Sequence, residues 1–371
     1  MDPALSTRGG GPGWADQRVR DHLFGIVREL LVGYNTQGVE LDFAAPPGWS
    51  AFHLRAEDVT QYTPVVTEWV RKATETARNR VGQTALIGVR VYPTEEINLA
   101  HGVDIRTWLK EGLVDYLSPL VYAHNRIDAD TPVEWLVELA HKYNASVYPI
   151  LMAYYTNEAR QYYTRVFATP AMYHAAAASY FDRGCDGMYS WFMRWPLGDT
   201  ERRTLADIGN PDILRESTKH YVVNRKSDYT DKLGFKRPLP LEINCVDPGK
   251  RHAIPFYLAD DPVESKGRIH EIRIRMRLHN MVSADRISLF LNGQSLAAEP
   301  CAHYRASNMY PYDRWAELTL HRVQPRKGHN VLEISHDFRP ERLGYGLAVE
   351  DLEVLVKYNT FRDDYEMPKT H

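Results

Sequence analysis

The sequence predicts an α/β chain that changes class part way along. An incomplete (β/α)8 TIM-type barrel of about five strand-helix units is expected first, followed by an antiparallel β-sandwich. Three observations predict it. Between residues 16 and 222, short apolar strands alternate with helical periodicity, the pattern of a parallel sheet with right-handed crossovers. Beyond about residue 222 the helical period stops and two-residue alternation takes over. Finally, Gly38-Val39-Glu40-Leu41-Asp42-Phe43 reads as a strand with Glu40 and Asp42 on one face and Val39, Leu41 and Phe43 on the other. The expected organisation is a partial barrel over 1–222, a linker over 223–240, a sandwich over 241–360 and a tail over 361–371.

The elements follow in order. Val19, Leu23, Ile26, Val27, Leu30 and Leu31 recur at helical spacing and predict a helix over 16–34. The 38–43 strand comes next, then a helix over 57–80 with Asp58 or Thr60 as its cap. Leu86 to Tyr92 is a strand that Pro93 ends. A short helix covers 104–111 and a strand 114–122. A helix over 132–143 follows Thr131, a cap with Pro132 just inside. Val147 to Tyr154 and Gly187 to Phe192 are strands on either side of a helix over 170–183, and a last helical region covers about 200–220. Five strands do not close a barrel of eight. The edges of an open sheet invite pairing, so self-association through them is expected.

The second half alternates apolar and polar residues over 268–278, 286–291, 315–320, 330–334 and 352–356. Asn292-Gly293 between Phe290-Leu291 and Leu296 is a hairpin signal. His303, Tyr304, Tyr310, Tyr312 and Trp315 read as an aromatic loop cluster that could touch a glycan or pack on the barrel.

Composition excludes several classes. Hydrophobic residues make up 44% and charged residues 25%, ordinary for a globular chain. A net charge of -3 gives no reason to expect nucleic acid as a partner. No apolar run is long enough for a membrane span. Met1 to Gly13 is Gly/Pro-rich without an apolar core, unlike a signal peptide, and the compartment stays open. Three cysteines, Cys185, Cys245 and Cys301, are too few for a disulfide framework. The histidines are scattered, with no metal-ligand spacing. No phosphate loop or dinucleotide fingerprint occurs, so neither a metal nor another cofactor is implied.

Carboxylates on the inner face of a parallel barrel are costly unless paired or used. Glycoside hydrolysis uses two such groups flanking the bond. Residues two apart on a strand are roughly 6–7 Å apart, between the retaining and inverting separations. Asp42, nearer the strand's carboxyl end, is the expected nucleophile or cation stabiliser, and Glu40 the orienting partner. Arg90 shares a face of the next strand with Tyr92. It either pairs with Glu40 as a structural ion pair or clamps substrate. Glu95 and Glu96 are expected in the following loop. Tyr122, His124, Tyr154, Trp191 and Arg194 lie at strand ends on the same side and are expected to bind substrate or to pack the barrel mouth.

Three ordered blocks carry a family resemblance. The first runs from Val19-Arg20-Asp21-His22 through Gly38-Val39-Glu40-Leu41-Asp42-Phe43. The second is Gly88-Val89-Arg90-Val91-Tyr92-Pro93-Thr94 with Gly102 to Trp108 and Glu111 to Tyr116. The third is Cys185-Asp186-Gly187-Met188-Tyr189. Together they cover about residues 14–195 and resemble the family 10-like glycosyl hydrolases of environmental bacteria. The resemblance implies a (β/α)8 barrel acting on glycosidic bonds, with Glu40 and Asp42 on its fourth strand and about three earlier strands absent here. Two departures stand out. Ala44-Ala45-Pro46 replaces a stretch where relatives tend to carry a basic residue before the proline, and Val147 to Tyr154 carries no acid. The D-x-x-D-x-D-x-E run of chitinases is also absent. The expected function is a glycoside hydrolase acting on a poly- or oligosaccharide. The alternative is a non-catalytic carbohydrate-binding protein or degenerate barrel.

Overall fold

The computed structural model describes residues 13–44, 52–120, 126–156, 165–226, 237–305, 313–343 and 346–359. The chain is a mixed α/β protein. Its first part runs α1 (Gln17–Gly33), β1 (Gly38–Asp42), α2 (Val59–Val81), β2 (Leu86–Val91), α3 (Glu95–Ala100), α4 (Ile105–Lys110), β3 (Tyr116–Pro119), α5 (Glu134–Lys142), β4 (Ser146–Val147), β5 (Ile150–Leu151), β6 (Tyr154–Thr156), β7 (Arg165–Phe167), α6 (Pro170–Asp182), β8 (Tyr189–Ser190), α7 (Asp199–Ile208) and α8 (Pro211–Arg215). Local chemistry sets the helix starts: the Asp16 carboxylate caps α1, and Thr169 caps α6 with Pro170 in its first turn.

β1, β2, β3 and β4 form a parallel sheet in chain order. β5 follows β4 after two residues and pairs in parallel with β8. The Tyr148 N–H donates to the Leu117 carbonyl, while Tyr189 N–H donates to that of Pro149. Residues 146–151 therefore have β3 on one side and β8 on the other. Val39, Leu41, Phe43, Ile87, Val89, Val91, Leu117, Val147 and Leu151 face the helices and share the main core with Trp69, Val70 and Trp108. This alternation follows from the period-two geometry of strands.

Two aspartates join neighbouring strands at their amino ends in the same way. Asp115 donates its N–H to the Ile87 carbonyl at 2.8 Å, and its Oδ2 accepts the Ile87 N–H at 2.7 Å. Asp186 does the same to Val147, at 3.0 and 2.8 Å. A basic side chain flanks each: Arg78 lies 3.6 Å from Asp115 and His141 lies 3.1 Å from Asp186.

The strands of the second part pair antiparallel. β9 (Lys219–Val223), β10 (Leu241–Ile243), β12 (Ile269–His279), β15 (Cys301–Arg305), β16 (Arg314–Thr319) and β18 (Leu347–Tyr358) form one sheet. Its order is β10-β18-β12-β16-β15, with β9 also on β18. β11 (Arg251–Leu258), β13 (Arg286–Leu291), β14 (Gln294–Ser295) and β17 (Gly328–Phe338) form the other, ordered β11-β17-β13-β14. Ile274, Met276, Val354 and Val356 of the first sheet share a core with Ile254, Phe256, Leu332 and Ile334 of the second. The β13–β14 hairpin turns on Asn292 and Gly293, whose φ values of 51° and 82° suit the tight turn that this dipeptide favours. No helix among the described residues is long and apolar enough to cross a membrane.

Several local expectations are corrected. Glu95 and Glu96 open α3 rather than lie in a loop, because the Thr94 hydroxyl caps that helix, and Glu95 pairs with Arg106. Thr131 is not a cap: its hydroxyl donates to Asp128 at 3.0 Å, and α5 starts at Glu134. The single strand expected over 147–154 is three short pieces. The helical region expected to 220 ends at Arg215, because Lys219–Val223 pairs with β18 as a strand. Of the aromatic loop cluster, His303, Tyr304 and Trp315 lie on strands β15 and β16, while Tyr310 and Tyr312 fall outside the described residues.

Candidate functional site

The face of the parallel sheet turned away from the helices gathers the polar and aromatic residues. In register, Glu40 stands opposite Gly88 and Asp42 opposite Arg90. Arg90 is the hub. Its Nε lies 2.8 Å from Glu40 Oε1 as a close charge contact without hydrogen-bond alignment. Its Nη1 reaches Asp42 Oδ2 at 3.1 Å, and its Nη2 donates to the Tyr189 hydroxyl at 2.6 Å. The guanidinium carbon lies 4.5 Å from the centre of the Trp191 ring and 5.0 Å from that of Tyr189. Burial works against the charge on Arg90, but Glu40 and Asp42 outweigh it and hold its pKa above the ordinary arginine value.

Glu40 is held twice. Besides Arg90, the Tyr116 hydroxyl donates to its Oε2 at 3.1 Å. Tyr116 sits on β3 and must cross β2 to reach it. Gly88 makes this feasible: a Cβ there would lie 2.0 Å from Tyr116 Cζ. Gly187 accommodates the Tyr148 ring in the same manner. Burial, then the charge of Glu40, pushes the Tyr116 phenol well above its usual range, so its proton stays available to Glu40. Asp42 is the open group: its side chain is 47% exposed, against 18% for Glu40 and 16% for Arg90. Its Oδ1 accepts the Ala44 N–H at 3.2 Å.

The structure thus brings Glu40, Asp42, Arg90 and Trp191 together. Tyr92 lies deeper, 1% exposed, in an apolar cluster with Ala44, Ile97, Leu120, Ile150 and Met152, its ring 4.8 Å from that of His101. Ala44, at the first departure from the family pattern, is part of that cluster. Tyr154 lies on β6 with its ring 4.9 Å from that of Phe167. Arg194 is exposed and lines a small separate cleft with Phe167, Tyr173 and Glu201. Tyr122 and His124 lie outside the described residues. Two residues that the sequence reading passes over, Tyr116 and Tyr189, make direct contacts here. The signal for Tyr189 is its spacing of two from Trp191. For Tyr116 it is the glycine that faces it on β2. Among the described residues, no group of three His, Cys, Asp or Glu side chains is placed to hold a metal ion.

No family model matches the chain, and no curated protein matches it. Among solved structures there are matches of low TM-score and low identity. A cycloisomaltooligosaccharide glucanotransferase from Paenibacillus sp., complexed with cycloisomaltoheptaose, shares 11% identity at a TM-score of 0.28 over 92% of this chain. The chain spans 38% of that protein's length. A chitinase from Rhizomucor miehei shares 12% identity at a TM-score of 0.35, over 53% of this chain and 76% of the chitinase. The chitinase domain of a Clostridium difficile spore coat protein shares 14% identity at a TM-score of 0.26, over 55% of this chain and 72% of that domain.

Proposed function

We propose that the chain is a glycoside hydrolase acting on a poly- or oligosaccharide, with Asp42 as the reacting carboxylate. In this reading, residues 1–222 are a partial (β/α) barrel and residues 241–360 a β-sandwich that follows it in the chain. The observation that carries the proposal is the asymmetry of the carboxylate pair. Arg90 bridges both acids and lies against the Trp191 ring, yet Asp42 stays open at the carboxyl end of β1, while Glu40 is held by Arg90 and Tyr116. An open carboxylate on an arginine that also holds an aromatic ring suits a sugar whose anomeric carbon gains positive charge. Glu40 orients Arg90, and through it Asp42. The resemblance of the three sequence blocks to family 10-like glycosyl hydrolases supports the same reading.

One observation favours a second reading, a protein that binds carbohydrate without cleaving it. Both oxygens of Glu40 are engaged, and the sheet's inner face beyond β2 presents Tyr116, Ser118, Ile150, Met152, Tyr189 and Trp191, none of them an acid. The test is reducing-sugar release from a panel of polysaccharides and aryl glycosides by the wild type and Asp42→Asn. Hydrolysis that disappears in a folded Asp42→Asn variant is the expected result. Absence of hydrolysis, with retained affinity for one of the same polysaccharides in gel electrophoresis, would replace the hydrolase by the binding protein.

A further inference from the structure

We infer that Tyr189 is the proton donor of this site, supplying an acid that the inner face beyond β2 lacks among the described residues. The inference rests on the hydrolase reading above and assigns one of its roles. Three observations support it. First, Arg90 donates into the Tyr189 hydroxyl oxygen at 2.6 Å, so the hydroxyl's own hydrogen must point away from the guanidinium. Second, that hydrogen finds no acceptor among the described residues, although Arg90, Glu40 and Tyr116 around it are all engaged. Third, the same guanidinium fixes Asp42. Asp42 Oδ2 lies 3.1 Å from one terminal nitrogen and Tyr189 Oη 2.6 Å from the other. The planar fork therefore keeps the two oxygens within about 8 Å of each other. Paired groups in glycoside hydrolysis stand about 5–9.5 Å apart.

The chemistry balances with these groups and water alone. As the bond between the anomeric carbon and the glycosidic oxygen breaks, its electron pair stays on that oxygen, which takes the Tyr189 proton. The Asp42 carboxylate faces the cationic carbon. Water then adds to that carbon and returns a proton to the Tyr189 phenolate, restoring both groups. Phenols serve as general acids in proton-transfer catalysis, as carboxylic acids do.

The test compares leaving groups on one sugar. Tyr189→Phe keeps the ring against Arg90 and removes only the hydroxyl. With an oligosaccharide substrate, whose alkoxide leaving group needs a proton, kcat/KM should fall by about 100-fold or more. With the 2,4-dinitrophenyl glycoside of the same sugar, whose leaving group needs none, it should change by less than about 5-fold. Thermal melting of the variant reports whether it folds. Equal losses on both substrates, with Asp42→Asn inactive on both, would overturn the assignment and leave the hydrolase reading standing. A wild type inactive on the dinitrophenyl and oligosaccharide substrates of every sugar in the panel would overturn the hydrolase reading and, with it, this assignment.

Discussion

The same set of side chains occurs twice in this molecule. On the parallel sheet, Arg90 meets two carboxylates, a tyrosine hydroxyl and a tryptophan ring: Glu40, Asp42, Tyr189 and Trp191. On the larger antiparallel sheet, Arg275 meets Glu317, Glu353, Tyr304 and Trp315, with its guanidinium again 4.5 Å from the tryptophan. Two differences separate them. In the second set the Tyr304 hydroxyl takes hydrogen bonds from Arg275 and gives its own hydrogen to Glu317 at 3.1 Å. Glu353 also receives His220 at 3.1 Å, and the two carboxylates are 19% and 11% exposed. Both carboxylates and the hydroxyl of that network are engaged. In the first set, one carboxylate is half in solvent and one hydroxyl hydrogen has no acceptor among the described residues. The comparison teaches that residue types do not separate an ion cluster whose groups are all engaged from one that is left open. The leftover hydrogen-bonding capacity and its access to solvent do.

Removing each hub sharpens the contrast most. Arg275→Met strips its arginine from Glu353, 11% exposed, and leaves Glu317 with Arg273 alone, and urea unfolding should report a loss of about 3–5 kcal/mol. Arg90→Met should cost less, about 1–2 kcal/mol, because Asp42 can turn to water. Equal losses would break the distinction.

Acid should act next, and on the second set. Burial opposes the charge of Glu353, but His220, Arg275 and Arg277 outweigh it and hold its carboxyl below the usual glutamate range. A carboxyl depressed in the folded state contributes stability that is fully present above its unfolded pKa, near 4.3. That contribution is lost as pH falls through the depressed value. Melting temperature followed from pH 6 down to pH 3 should therefore fall less steeply in Glu353→Gln than in the wild type. A parallel descent would remove Glu353 from the account.

The smallest effect compares the two phenols. Tyr304→Phe breaks hydrogen bonds on both sides of a half-buried hydroxyl, which burial pushes up to about 12 in pKa, and should cost about 1–2 kcal/mol. Tyr189→Phe loses one accepted bond and should cost about 1 kcal/mol or less by the same measurement. A reversed order would mean that the Tyr189 hydrogen is already used in folding.

Much of this was readable from one-dimensional pattern, for reasons that particular residues make plain. Glu40 and Asp42 share a face because strand alternation is geometric and needs no partner to be known. The Asn292-Gly293 turn is equally local, since few dipeptides tolerate two positive φ values. What escaped the pattern depends on distant residues. Lys219–Val223 is a strand because β18 receives it, and no local signal in five residues outweighs the helices before it. Tyr116 reaches Glu40 only because Gly88 lies between them, a fact of register between strands. Tyr189 reads as one more core aromatic until Arg90 is seen to donate to it. Arg194, close to Trp191 in sequence, turns outward to a different cleft.

The paired contacts of Asp115 and Asp186 have a consequence for the face above them. A strand displaced by one residue along its neighbour would present its opposite set of side chains: Val89 or Val91 would stand where Arg90 stands, and the aromatic ring of Tyr189 would point into the helices. Each aspartate holds one partner residue by both its backbone N–H and its carboxylate, so a shift breaks two bonds at once. The amino end of the sheet thus works as a parity lock. It decides which half of each strand's residues is available to a ligand, from the end of the sheet where no ligand is expected.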